Sequence, residues 1–319
     1  MLQLAPIFVS IHTVCTLIGC LFNLFLCHVA LFHSPPLIKT YSVIVINVAV
    51  TDLGACLCDF LLQQRMIPLG LNLFYISYGP CVKFGPEFCF DVYSGMLHFY
   101  SHSLWLLFIA FAYRYYVMLR TEPSRWALQL TILLAYTPSL VMMLALFFDQ
   151  SDPETIRKML RAEFPAYDLS GLTISGSADV FRFAPMFAIV HMTVLSTPLA
   201  LGILFFRRRI IALLTYKGVD LTSKTRNLHA QLLRALTFQA TIPLFYLLGV
   251  ACFFVGQLGI RSPLLEFSIF TCFLLVPILT PLSSLIYVTP YRRFVAKLLK
   301  LKSSTEPKNH TNSMITVGL

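Results

Sequence analysis

Ionisable side chains are costly inside apolar segments, so those that persist there are the first places to look for chemistry. Asp52 and Asp59 stand seven residues apart in one apolar run, two helical turns, and therefore share a face. A carboxylate in that setting needs a proton, a cation or a hydrogen-bonding partner, and Asn23 in the preceding run is one candidate for the last. A second set, Asp91, Ser94, His98, Ser101 and His102, makes a single polar stripe at helical spacing, which must point into a bundle and away from lipid. His98 and His102, at i and i+4, could ligate a metal, but no third ligand has a clear spacing and a hydrogen-bonded lining is the simpler reading. Asp91 and Glu266 lie near the starts of their runs and are each either a ligand contact or a solvated helix-end charge. No His/Asp cluster or Ser-centred motif has catalytic spacing, so an enzyme is not expected, and neither is a metal or cofactor.

These residues sit in a chain that is 57% hydrophobic and only 12% charged, against roughly 25% charged in a soluble domain. A helix needs about 20 apolar residues to cross the hydrocarbon, and runs of that length fall at about 6–32, 41–62, 89–117, 127–148, 185–206, 236–257 and 264–288. The fold class that follows is all-α: a polytopic membrane protein with a seven-transmembrane helix bundle. Residues 1–302 form that domain, with a polar cytoplasmic tail expected to be disordered over 303–319. The first run lacks a basic leader and a small-residue cleavage site, so it reads as an uncleaved span.

Charge sets the expected orientation. With the N-terminus outside and the C-terminus cytoplasmic, 17 of the 24 Lys and Arg residues fall on the inner side, which is what the positive-inside rule requires. The net charge of +10 is therefore a topology signal, and no nucleic-acid partner is expected. Residues 63–88 are rich in Gly and Pro and read as a turn-rich outer loop without helix; 149–184 form a second, polar one. The basic, proline-free segment 207–235 extends the fifth and sixth spans inward. Past Pro290, Phe294, Leu298 and Leu301 alternate with Arg292, Arg293, Lys297, Lys300 and Lys302, giving an amphipathic helix over about 291–302 lying on the inner leaflet, with membrane lipid as its partner. Prolines 138, 185, 198, 243, 277 and 281 interrupt helical runs, and each frees a carbonyl.

Several patterns resemble the rhodopsin-like seven-helix receptors. Asn23 closes Gly19-Cys-Leu-Phe-Asn23, and Asn47-Val-Ala-Val-Thr-Asp52-Leu53 is similar to the span-two motif whose aspartate is the sodium-site and activation residue. Tyr113-Arg114-Tyr115 stands where an acidic-Arg-Tyr triplet closes span three, with tyrosine in the acidic place. Thr280-Pro281 stands where Asn-Pro-x-x-Tyr would close span seven, without the tyrosine at its offset. A nearer resemblance, carried by Gln64-Arg65-Met-Ile-Pro68-Leu-Gly70, Gly79-Pro80-Cys81, Tyr93 to Ser103, Phe111-Ala-Tyr113-Arg114-Tyr115-Tyr116 and Pro290-Tyr291-Arg292, is to the nematode serpentine chemoreceptors, class delta (Srd), over roughly residues 1–300.

That resemblance implies a G-protein-coupled odorant or pheromone receptor in the plasma membrane of ciliated sensory neurons, with a small-molecule ligand and a heterotrimeric G protein as partners. The loop Asp149–Ala184 holds no cysteine, so the usual bridge from span three to that loop cannot form. Cys81 and Cys89, the only cysteines near the oxidising side, are expected to pair locally. The expected ligand pocket lies between the outer halves of spans three, five, six and seven, with Asp91, Ser94, His98, His102 and Glu266 as candidate contacts. Asn23, Asp52, Arg114, Pro243 and Pro281 are the activation candidates. Arg114, Arg207, Arg208, Arg209 and Arg234 are the candidates that face the G protein. The alternative is a ligand-gated channel or transporter, although no inverted repeat is visible.

Overall fold

The computed structural model describes residues 4–165, 168–216 and 237–298. In chain order its elements are α1 (Leu4–Phe32), α2 (Tyr41–Leu62), β1 (Gln64–Leu69), β2 (Asn72–Ser77), α3 (Pro86–Leu119), α4 (Arg125–Phe148), α5 (Pro153–Glu163), β3 (Thr173–Ser177), α6 (Phe183–Thr193), α7 (Ser196–Tyr216), α8 (Ile242–Gln257), α9 (Pro263–Tyr287) and α10 (Thr289–Leu298). Among the described residues seven helical stretches are long and apolar enough to cross a membrane, with α6 and α7 forming the fifth and Thr237–Gln257 the sixth. Six of them begin and end within three residues of the apolar runs, and the fifth continues seven residues further, to Leu213.

The helices are inside-out relative to a soluble bundle. α1 exposes Ile7, Val14, Leu17, Leu21 and Leu24 and buries His12, Thr16, Gly19 and Asn23. Only an apolar solvent makes that arrangement favourable, because the polar groups then find their partners in neighbouring helices. α3 runs through the middle and touches α2, α4, α6, α7 and β3.

Prolines place the irregularities. Pro198 cannot donate to Val194, and the fifth span turns at Val194–Leu195, where the Leu195 amide reaches back to the Val190 carbonyl at 3.2 Å. The sixth span turns at Ala240–Thr241, and Pro243 sits in the first turn of α8, where its missing N–H has no helical partner to lose. Pro281 lies within α9 and leaves the Pro277 carbonyl without its helical donor; Asn23 Nδ2 of α1 supplies one at 2.8 Å. Val288 is extended, which ends α9 before α10 begins.

The bundle is helical as expected, but the turn-rich outer loop over 63–88 is more regular than its glycines and prolines suggest. That segment contains an antiparallel hairpin, β1 with β2, paired from Gln64↔Ser77 to Leu69↔Asn72. Gly70, at φ 55°, begins the two-residue turn, a backbone state that L side chains adopt at a cost. The loop 149–184 is equally built: it forms α5, capped by the Asp152 carboxylate on the Thr155 amide at 2.9 Å, and β3, which pairs with β2. The order β1-β2-β3 leaves Pro68 on an edge strand, where its missing N–H costs no ladder bond. One face of this sheet packs Ile67, Phe74, Ile76 and Ile174 on Ile156 and Leu160 of α5. A β-carbon on Gly176 would lie 2.2 Å from the Leu73 carbonyl, so that strand crossing admits only glycine. The sheet and α5 cap one end of the bundle; α10 marks the other. Residues beyond Leu298, including the expected 303–319 tail, and most of 207–235, lie outside the described residues.

Candidate functional site

Beneath the sheet, a cavity of about 50 Å³ lies between α3, α6, α8 and α9. Met66, Leu73, Tyr75 and Ser177 of the sheet form its ceiling; Tyr93 and Leu97 of α3, Ala188 and Met192 of α6, Val250 and Phe253 of α8, and Ile269, Phe270 and Phe273 of α9 form its walls. Among the described residues no Asp, Glu, Lys, Arg or His lines it. The Tyr93 hydroxyl donates to that of Tyr75 at 3.0 Å. Burial, with Tyr93 beside it, holds the Tyr75 phenol well above its ordinary pKa, so the ceiling is neutral.

The cavity lies between the expected spans, but its lining corrects the residue expectations. Asp91 accepts from the Gln150 side chain, and the Ser94 hydroxyl turns back to the Asp91 carbonyl at 2.7 Å. His98 and His102 each stand edge-on to the Tyr136 ring of α4, with centroids 4.4 Å apart in both cases. Ser101 meets His191 Nε2 of α6 at 2.6 Å. From Ser94 to His102 the stripe is buried, as lipid demands, with Asp91 half-buried at its end, yet it faces the seam of spans three, four and five. Each helical residue advances about 100°, so Tyr93 and Leu97, one position earlier than Ser94 and His98, take the face toward the cavity. Among the described residues no group of three or more His, Cys, Asp or Glu is placed to hold a metal ion.

Glu266 is likewise not a cavity wall. It is 2% exposed and accepts from Arg65 Nε of β1 at 2.7 Å, beneath the Phe267 ring. Burial opposes the Arg65 charge, but Glu266 and Tyr78 outweigh it and hold the guanidinium above its ordinary pKa. The pair ties sheet to α9. Cys81 and Cys89 form a disulfide, with Cα atoms 5.3 Å apart, that ties the chain after β2 to α3.

Two carboxylates lie deeper. Asp52 accepts from Ser103 Oγ of α3 at 2.6 Å, while the candidate partner Asn23 donates instead to the Gly19 and Pro277 carbonyls. Asp59 meets His12 Nδ1 of α1 at 2.7 Å, and His12 Nε2 reaches Thr271 of α9 at 2.9 Å, so one imidazole joins spans one, two and seven. His12 escaped the sequence reading, although the same rule that singled out Asp59 applies to an imidazole in an apolar run.

Toward the other end, Tyr100, Tyr246 and Phe273 form a floor under the cavity, with Tyr246 and Phe273 rings 4.7 Å apart and Tyr100 and Phe273 5.6 Å apart. Below it lies a second cavity lined by Tyr41, Ser103, Gln239, Pro243, Thr280 and Ser284 among others. Arg114, 5% exposed, closes the bundle there. Its guanidinium donates to Gln239 Oε1 at 2.8 Å and to the Tyr41 hydroxyl, and lies over the Tyr41 ring at 4.8 Å. Gln239 Nε2 continues to Ser283 Oγ at 2.9 Å. The clamp joins spans two, three, six and seven through neutral partners, while Tyr113, in the triplet's acidic place, donates to Glu122 at 2.7 Å. Tyr41, Gln239 and Ser283 carry no charge that hydropathy would flag, and sequence reading missed them. Arg207, Arg208 and Arg209 lie on α7, with Arg208 and Arg209 exposed; Arg234 is outside the described residues.

The family model for the serpentine type 7TM GPCR chemoreceptor Srd matches residues 8–297. Among Caenorhabditis elegans proteins, serpentine receptor class delta-18 is 38% identical over 92% of this chain and 90% of its own length. Class delta-19 is 36% identical over 91% and 87%, and class delta-2 is 31% identical over 90% and 81%.

Proposed function

Because the chain belongs to the Srd family of seven-transmembrane serpentine chemoreceptors, a family of multi-pass membrane receptors and not of enzymes, we propose that it binds a small molecule beneath the sheet and signals through a heterotrimeric G protein at the Arg114 end. The sheet end then faces outward, in keeping with the 17-to-7 division of basic residues. The plasma membrane of sensory cilia is the expected place of action. The reading needs no cofactor.

The observation that carries it is the vertical order of parts: a neutral apolar cavity, an aromatic floor, and a polar clamp on the same helices. Phe273 is both cavity wall and floor, and Tyr246 lies seven residues from Gln239 on span six, across the Ala240–Thr241 turn. A ligand that packs on Phe273 favours the arrangement of spans six and seven that best accommodates it, and contributes only its differential affinity for that arrangement. Moving span six about the Ala240–Thr241 turn and Pro243 draws Gln239 from Arg114 and opens the inner face beside Arg208 and Arg209. Pro281 gives span seven a hinge point of its own, where the Pro277 carbonyl that it frees accepts from Asn23.

The test is Arg114→Ala in cells expressing the receptor with a promiscuous Gα, read by second messenger against an odorant and pheromone panel. Ligand-evoked signal is expected to vanish at unchanged surface expression. Full signalling by that variant removes Arg114 from the switch, and a ligand-gated current that persists with G-protein signalling blocked favours the channel reading instead.

A further inference from the structure

The ceiling of the cavity is chemically unlike its walls. Side chains alternate across a strand, so Gln64, Ser77 and Ser175 share the sheet face of Met66, Leu73, Tyr75 and Ser177, and stand beside those four without themselves lining the cavity. Gln64 is paired with Ser77, and Ser175 with Tyr75. These three are 1%, 3% and 4% exposed, yet Nε2 and Oε1 of Gln64 and the hydroxyls of Ser77 and Ser175 have no hydrogen-bond partner among the described residues.

Four unmatched polar atoms in one patch run against the rule that buried polar groups are paired. A sheet meant only to plug the bundle would be more stable with apolar residues there, as its opposite face has against α5. The patch contains both donors and acceptors, as a carboxamide and hydroxyls must. Nothing in the patch or the cavity walls carries a formal charge, and the nearby Arg65 is engaged by Glu266.

We propose that Gln64, Ser77 and Ser175 form the polar subsite of the ligand cavity, and that it takes an uncharged head group able to donate and accept hydrogen bonds, such as an amide or alcohol, on a short apolar body. The body lies among Tyr93, Phe270 and Phe273, and the head turns up into the sheet. Ionised amines and carboxylates are rejected, because the subsite offers them no counter-charge in place of water. This rests on the cavity assignment made above but not on the G protein.

The experiment uses the purified full-length receptor in lipid nanodiscs, with thermal unfolding as readout and octane, octan-1-ol, octanamide, octanoate and octylammonium as probes. Octanamide and octanol are expected to raise Tm more than octane, and the two ions less. Gln64→Met and Ser175→Ala should raise the Tm of the ligand-free receptor, since each removes an unmatched buried group, and should abolish the advantage of octanamide over octane. A purely structural role for Gln64 predicts the opposite sign in the ligand-free protein. The proposal fails if no probe shifts Tm, if octane matches octanamide in the unaltered receptor, if an ion binds best, or if both variants keep the wild-type order. Selective stabilisation without any second-messenger response overturns the signalling reading alone, and an evoked signal without head-group selectivity overturns this subsite alone.

Discussion

The two ends of the bundle are closed by different kinds of interaction. At the sheet end, a disulfide, a buried ion pair, three paired strands and a small apolar core under α5 all bear on the same few helix tips. At the other end Arg114 bridges four spans through an amide and a phenol, with no carboxylate hydrogen-bonded to it among the described residues. A buried cation held by neutral groups is the easier to release, because no counter-charge is stranded when it leaves. On the function proposed above, the cross-linked end would fix a ligand's frame of reference while the neutral end changes its packing.

The most forceful way to break this contrast is at the ion pair. Glu266→Leu alone leaves Arg65 buried without its counter-charge and should cost about 3–5 kcal/mol, read as loss of surface expression and a lower Tm. Arg65→Met with Glu266→Leu should recover most of that loss; a double variant as unstable as the single one would mean that the pair does more than neutralise itself. Next in size is Cys81→Ser with Cys89→Ser. Removing a bridge across eight positions should cost about 2–3 kcal/mol through loop closure, with the sheet end loosening first in amide exchange. Smallest in stability is Gln239→Leu, about 1.5 kcal/mol because Tyr41 still holds Arg114. Its signature lies elsewhere: ligand-independent second-messenger output should rise. A silent Gln239→Leu receptor at normal surface level would remove the contrast between the two ends.

The seven spans were legible because lipid imposes one requirement, about 20 apolar residues, that loops cannot imitate. The site was legible only to within a face of one helix. The stripe from Asp91 to His102 showed that α3 is enclosed, but which enclosed face meets a cavity depends on where α4 and α6 pack, and no local pattern in α3 encodes that. Polar residues drew attention for their cost, whereas the cavity is walled by Leu97, Ile269 and Phe270, which look like any other membrane residues. The hairpin left a signal of its own, Gly70-Leu71 between Gln64–Leu69 and Asn72–Ser77, with the glycine where a two-residue turn wants it. That signal was hidden among the prolines and glycines around it. β3 left none, since Thr-Ile-Ser-Gly-Ser becomes a strand only where β2 offers it an edge.

That edge imposes a schedule on biosynthesis. β1 and β2 leave the ribosome as neighbours, but the strand that completes them is 96 positions further on, counting from Ser77 to Thr173, with two entire spans to be laid down between. Through that interval Leu73–Ser77 is an unsatisfied template of the kind that invites the wrong chain. The protein limits the hazard by keeping the open edge to five residues, while Pro68 blunts the other free edge, that of β1. Completion of the cap then certifies that spans three and four have both been inserted, so a receptor whose sheet is closed is one whose first four spans are in place.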